Sequence, residues 1–440
     1  MTKEQLKAAA VAVVEENSDK LIEIGNYFFK NPETGFREVK TSKRMKEALE
    51  DCGLCVRDGI AVTGLKARVS GRRSDINLAF MGELDALNMP SHPDADPETG
   101  AFHGCGHHAQ LTTVIGAAYG LVKSGLFREL DGDLTFLGVP AEEIIEHDFR
   151  VSLRDEGKIG MLGGKQEFLR LGVFDDVDLV LASHAMGGCA ESRSWLGHSW
   201  NGVIFKSVRF TGKPAHAGLA PHKGINALEA ALCAMNNINA LRESFCDDDH
   251  VRIHYVITKG GSSCNIVPDD VRMEFGVRAA NLEALRTANE KVNRALRLGA
   301  ENIGAGIEIH DSGLDLPCRQ NREMGEIYLK NAEALLGAGK VSNEFGSYRG
   351  SSTDCGDVAS LMPLIHPYFG GAVGSVHAND FGIADPYAAY VVPAKIAVMT
   401  AVDLLYDGAA EAHRIRASFV PDFRNRDEYT SLVSSLLTDV

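Results

Sequence analysis

An α/β fold is predicted for this 440-residue chain: a mostly parallel sheet covered by helices, with a smaller ferredoxin-like α+β domain inserted into it. Three features predict it. Short apolar runs alternate with helical stretches as far as residue 198, a middle segment changes rhythm, and the first rhythm then returns toward the C-terminus.

Taken in order, residues 4–30 and 39–51 have helical periodicity, and Asn31, Pro32 and Gly35 mark the turn between them. Apolar runs at 76–81, 134–139 and 177–183 read as buried strands. Each run is followed by reactive side chains: Glu83 and Asp85 after the first, Glu142 and Glu143 after the second, His184 after the third. In open α/β sheets ligands bind beyond the carboxyl ends of the strands, so these groups are expected along one edge. From about 199 to 315 the pattern is strand 203–210, helix 225–241, strands 251–259 and 271–277, helix 282–298 and a short strand at 307–309. That order, β-α-β-β-α-β, is the split unit of ferredoxin-like domains. A helix resumes at 322–336, loops at 346–356 and 367–374 precede His377, and 387–406 reads as a buried helix with Pro393 in its first turn. The expected division is 1–198 for the first part of the larger domain, 199–315 for the inserted domain and 316–440 for the second part.

Apolar residues at 45% and charged residues at 24% match an ordinary globular protein. Lys plus Arg number 45 against 60 Asp plus Glu, a net charge of −15, and no basic run is interleaved with aromatics, so no nucleic-acid partner is expected. Residues 1–20 begin with Thr2, a plausible N-cap, and carry too many charges for a secretory signal. The 387–406 stretch is interrupted by Pro393, Lys395 and Asp403, so no membrane segment is expected and the location is read as cytoplasmic. Nine scattered cysteines suit reduced thiols. Cys52 and Cys55 form a C-x-x-C, but Gly53 sits where a helix C-cap belongs, and the pair reads as structural.

The densest chemistry lies in H-G-C-G-H-H, His103 to His108. Imidazole and thiolate are the ligands that borderline-soft divalent metals prefer, and Cys105 and His107 on a flexible backbone can face one ion. Adjacent Glu142 and Glu143, after a strand and Pro140, suit a hydrolase in which one acid binds metal and the other takes a proton from activated water. Competing schemes fare badly. There is no G-x-S-x-G elbow, and around Gly163, Gly164 and Lys165 a phosphate loop would need glycine at Ile159 and Ser or Thr at Gln166, so that stretch reads as a turn linked to a helix.

The order of G-E-L-D-A-L-N-M-P at 82–90, H-G-C-G-H-H at 103–108, P-A-E-E at 140–143 and D-L-V-L-A-S-H at 178–184 resembles metallopeptidase family 20. The likeness continues through N-P-E-T-G-F-R-E at 31–38, F-x-G-x-x-A-H-A at 210–217, G-I-N-A-L at 224–228, C-N-I-V-P at 264–268, G-S-S-T-D at 350–354 and the late His377. It implies a metallohydrolase catalytic domain with a lid that dimerises, and a homodimer or higher homo-oligomer. It implies Cys105, His107, Glu143, His184 and His377 as ligands of Mn2+ or Zn2+, one or two ions per subunit, with Glu142 as general base and Asp85 orienting a ligand. His216 matches the histidine that reaches a partner subunit's site, and Asn265, Arg278 and Ser352 match the substrate side. Many relatives have histidine at Glu83 and an acid or amide at His108, so these two stand beside the site with roles left open. Glu146, His147 and Asp148 are ligand types just beyond the glutamate pair and read as supporting or pocket residues.

The expected reaction is hydrolysis of a C–N bond in a small carboxylate-bearing molecule, an N-acyl or aminobenzoyl amino acid. Two alternatives stand beside it: hydrolytic deamination of an aminoaromatic acid such as 5-nitroanthranilate, and a non-catalytic metal- or ligand-binding protein of the same fold.

Overall fold

Thr2 accepts a hydrogen bond from the Gln5 amide while the Gln5 side chain accepts from the Thr2 amide, a capping box that starts α1 (Lys3–Glu16). The single helix expected over 4–30 is two. The Asn17 side chain donates to the Val13 carbonyl at 2.8 Å, closing α1, and α2 (Ser18–Lys30) begins afresh. This computed structural model describes residues 1–436. They form two units: 1–198 with 319–347 and 358–426, and 199–318 with 348–357 and the stretch from 427.

In the first unit α3 (Val39–Glu50) precedes β1 (Val56–Ile60), β2 (Gly64–Val69) and β3 (Asn77–Glu83). Then come α4 (His107–Ala118), β4 (Asp133–Val139), α5 (His147–Asp155), α6 (Gly164–Arg170) and β5 (Leu179–Leu181). The sheet runs β1-β2-β4-β3-β5 and ends on the two-residue strand Leu364–Ile365. β4, β3, β5 and that last strand are parallel, while β1 and β2 are antiparallel. β3 and β4 are buried along their whole length, as strands covered on both faces must be, and Phe80 stacks on Phe136 across them at 5.4 Å. Such a pair adds about 0.5–1.5 kcal/mol beyond area burial. β5 is shorter than the run that predicts it, because the Ala182 and His184 amides turn to the Ile365 and Pro367 carbonyls and His184–Ala185 joins a different small sheet.

The stretch 387–406 forms a π-helical turn, Tyr387–Val391, followed by the helix Val392–Leu405 with Pro393 in its first turn. Tyr387–Leu405 is long and apolar enough to cross a membrane by length and composition, and 89% of its most apolar window is buried inside the protein.

In the second unit β6 (Gly202–Thr211), α7 (Ala227–Leu241), β7 (Arg252–Lys259), β8 (Asp270–Ala279), α8 (Leu282–Ile303) and β9 (Gly306–Asp315) give the expected β-α-β-β-α-β order. The antiparallel sheet runs β7-β8-β6-β9, and α7, α8 and the inward residues of the strands share one apolar cluster. β9 is ten residues long where a short strand at 307–309 is expected. The polar His310 and Asp311 end the apolar run without ending the strand: Asp311 pairs with Lys206 of β6, both side chains fully buried, at the point where the β6–β9 register shifts.

Candidate metal centre

Gly106 sits at φ +89 as the residue before α4, a backbone position that side-chain-bearing residues rarely adopt, and this turn aims Cys105 and His107 the same way. His107 enters from the first turn of α4 and Glu83 from the last position of β3. Glu142 and Glu143 follow β4 past Ala141, a non-glycine residue held at φ +55. The buried Arg150 shapes that loop, its guanidinium donating to the carbonyls of Ile145 (2.8 Å), Ala141 (3.1 Å), Leu162 (2.6 Å) and Glu143. The N-P-E-T-G-F-R-E segment supports it from below: the Phe36 ring lies 5.4 Å from the Arg150 guanidinium, and Glu38 accepts from the Ala141 amide at 2.8 Å.

The expected donor atoms converge. Donor atoms of Cys105, His107 and His184 lie within 4.8 Å of one another, and so do those of Cys105, Glu143 and His377. Cys105 Sγ is 3.3 Å from His184 Nε2, and His377 Nε2 is 3.0 Å from Glu143 Oε1. Asp85 holds His107 Nδ1 at 3.2 Å and accepts from the Glu143 amide at 2.9 Å, so His107 presents Nε2 to the cluster. Glu142 Oε2 is 3.7 Å from that nitrogen and Glu83 Oε2 is 3.1 Å from it.

Burial alone would depress the His107 pKa, but Glu83, then Cys105 and Asp85, outweigh it and hold it well above the ordinary value. Burial, and next the charge of His107, pull His184 down to about 4. Burial, then the charge of Glu143, push the Cys105 thiol well up. The centre therefore calls for positive charge and holds soft and borderline donors around the place where it is wanted, which fits a divalent cation.

Several residues singled out in the sequence lie elsewhere. His108 is fully buried in an aromatic wall, 4.8 Å from the Phe29 ring and 5.7 Å from Tyr390, and belongs to neither donor group. Glu146 is the left-handed residue before α5 and pairs with Arg37 at 3.6 Å, while His147 and Asp148 open that helix. His216 and Asn265 belong to the second unit, both exposed, with the Ala217 amide donating to the Asn265 carbonyl at 2.9 Å. His216 Nδ1 accepts from the amides of Gly218 (3.2 Å) and Leu219 (3.1 Å), which leaves the proton on Nε2. Arg278 donates to Ser352 at 2.5 Å at the opposite end of the same sheet, about 25 Å along the strands from the β6 terminus that leads to His216. Sequence reading missed the roles of Lys165, Gln110, Arg150 and Glu38. A lone lysine after two glycines carries no sign that it turns inward.

Known proteins resemble this chain in sequence and fold. The peptidase dimerisation domain matches residues 201–303. Xaa-Arg dipeptidase of Homo sapiens is 28% identical over 346 residues, 75% of this chain and 70% of the relative. One chain of the p-aminobenzoyl-glutamate hydrolase of Escherichia coli is 29% identical over 288 residues, 63% of this chain and 55% of that one. A dinuclear metal-binding peptidase of metallopeptidase family 20 from Bacillus subtilis has the same fold, with a TM-score of 0.67 at 22% identity over 89% of this chain and 99% of that one. The chain is similar to metallopeptidase family 20 along most of its length. It is a metal-dependent hydrolase of carbon–nitrogen bonds, its larger α/β domain carrying the donor cluster and its inserted domain of the dimerisation type.

Proposed function

We propose that this protein is an amidohydrolase that cleaves the amide bond of a small N-acyl or aminobenzoyl amino acid, working as a cytoplasmic homodimer with Mn2+ or Zn2+. The observation that carries the reading is the convergence of Cys105, His107, His184, Glu143 and His377, with Glu142 beside His107. The five converging residues are assigned as metal ligands, and a divalent ion held there supplies Lewis acidity and acidified water.

Glu142 takes the proton from the attacking water and returns it to the departing amine. Asp85 keeps His107 in the tautomer whose Nε2 faces the cluster. Arg278, steadied by Ser352, pairs with the substrate carboxylate, while Asn265, beside His216 at the other end of the sheet, adds a polar contact in the partner's site. His216, its Nε2–H facing outward, donates to the oxygen that becomes negative in the partner's site.

The test is a screen of metal-reconstituted protein on N-acyl amino acids and aminoaromatic acids, with carboxylate product and free ammonia read separately. Carboxylate and amine released together support the amidohydrolase. Ammonia alone from an aminoaromatic acid replaces it with a deaminase, and no turnover with full metal content replaces it with a binding protein.

A further inference from the structure

One row across the sheet of the second unit holds Asp315 of β9, Val203 of β6, Arg278 of β8 and Arg252 of β7, each paired with the next. The two arginines are direct cross-strand partners, and like charges so placed repel. Asp315 answers the charge of Arg278 from the far side of β6, and Ser352 accepts from its guanidinium at 2.5 Å. Arg252 is exposed and pairs with no acid among the described residues. The hydrolytic scheme gives it no task.

The surroundings leave room beside the two guanidinium groups. Gly276, two residues before Arg278 on the same face, has Phe205 and His254 as its cross-strand partners. A Cβ there would fall 2.6 Å from His254 Nε2, so glycine is what lets the imidazole lie across β8. The Phe205 ring stands 5.7 Å from the Arg278 guanidinium. A Cβ on Gly350 would fall 2.8 Å from Arg252 Nε, so that position also keeps its side chain out of the way. Tyr348, its ring stacked on His250 at 3.8 Å, brings a buried hydroxyl beside Arg252. Burial pushes that hydroxyl up by more than Arg252 draws it down, so it keeps its proton and can donate.

We propose that Arg252 and Arg278 form a site for two carboxylates, Arg278 taking the α-carboxylate and Arg252, with the Tyr348 hydroxyl, taking a side-chain carboxylate, so that the amino acid released by hydrolysis is a dicarboxylic one. The inference rests on the amidohydrolase reading and on the place that reading gives Arg278. Directly opposed residues of an antiparallel pair have Cβ atoms about 4.5–5.5 Å apart, a separation that two carboxylates on one short chain can match. Each guanidinium presents a planar fork that suits a carboxylate, and a second anion between the strands removes the repulsion that the bare pair carries. A neutral side chain leaves Arg252 without an answering charge, and a basic one is repelled.

The test compares N-acetyl-glutamate with N-acetyl-glutamine, which has nearly the same shape and one carboxylate fewer, on metal-reconstituted wild type, Arg252→Gln and Arg252→Glu. Wild type should favour the glutamate substrate in kcat/KM by roughly 10–100-fold, the worth of a charged hydrogen bond. Arg252→Gln should bring that ratio toward one, and Arg252→Glu should turn it in favour of glutamine. A ratio near one in wild type overturns the proposal, and so does a preference that survives in folded Arg252→Gln. Absence of any amide hydrolysis defeats the amidohydrolase reading, and calorimetric titration with the same two compounds then decides for the site alone. Tighter binding of N-acetyl-glutamate that disappears in Arg252→Gln upholds the two-carboxylate site, and equal binding overturns it.

Discussion

Glu142 owes its place to its neighbours: Ala141 turns the chain at φ +55 and Arg150 ties the loop by its carbonyls. Glu142→Gln should keep the metal and substrate affinity and lose roughly 10²–10⁴-fold in kcat. Loss of metal in that variant would exchange the roles of the two glutamates. Glu38, beneath the same loop, accepts from Thr63 at 2.6 Å, and burial, then the charge of Asp85, push its carboxyl up to about 8. An unfolded glutamate titrates near ~4.3, so between these values the folded protein keeps a proton that the unfolded chain has released. Stability from this group is complete below the lower value and declines as pH rises toward the upper one. Urea unfolding of metal-free protein at about pH 5.5 and about pH 7.5 should show wild type losing stability relative to Glu38→Gln. Parallel behaviour of the two proteins would remove Glu38 from the account. The turn that brings Cys105 and His107 together was legible because Gly106 and these two donor residues are adjacent in sequence. Lys165 was not, since its meaning depends on Glu83, 82 residues away.

Among the elements, β7 is an edge strand whose outer main chain pairs with no strand among the described residues, and it exposes Val256 (54%) and Ile257 (37%), with Leu232 of α7 (38%) also uncovered. An apolar strand edge of this kind pairs with another chain unless it is blunted. In a domain that matches the dimerisation type, Val256→Asp should shift a homodimer toward monomer in sedimentation, with the fold intact by circular dichroism. An unchanged dimer would place the interface on another face. Apolar runs told where β3, β4 and the strands of the second unit lie, because burial on one or both faces writes itself into the residue pattern. The same logic understated β9, where a buried Lys206–Asp311 pair puts charge inside a strand. Losing one partner of such a pair costs about 3–5 kcal/mol, so polar residues here mark packing rather than a strand end.

At the scale of the molecule, His216 sits at the end of its sheet away from Trp200 and Cys318, the paired positions where the chain enters and leaves the strands of the second unit. If His216 serves a partner's site, a His216→Ala protein mixed with a Glu142→Gln protein should regain activity, toward about a quarter of wild type for random exchange in a two-fold dimer. Demonstrated exchange without recovery would put His216 in its own protomer's site or in none. The return of 348–357 to the second unit was not readable from residue order, since it depends on the pairing of Tyr348–Arg349 with Ser199–Trp200.

The strand Leu364–Ile365 that completes the larger sheet also sets a timetable for synthesis. Its partner, Leu179–Leu181, leaves the ribosome about 180 residues earlier. At about 5–20 residues per second the growing chain carries that open apolar edge for roughly 10–40 s, while the whole β-α-β-β-α-β unit emerges and can fold in between. Slower translation across 199–363 lengthens the time in which the nascent edge can pair with the wrong chain, and is expected to lower the yield of folded protein.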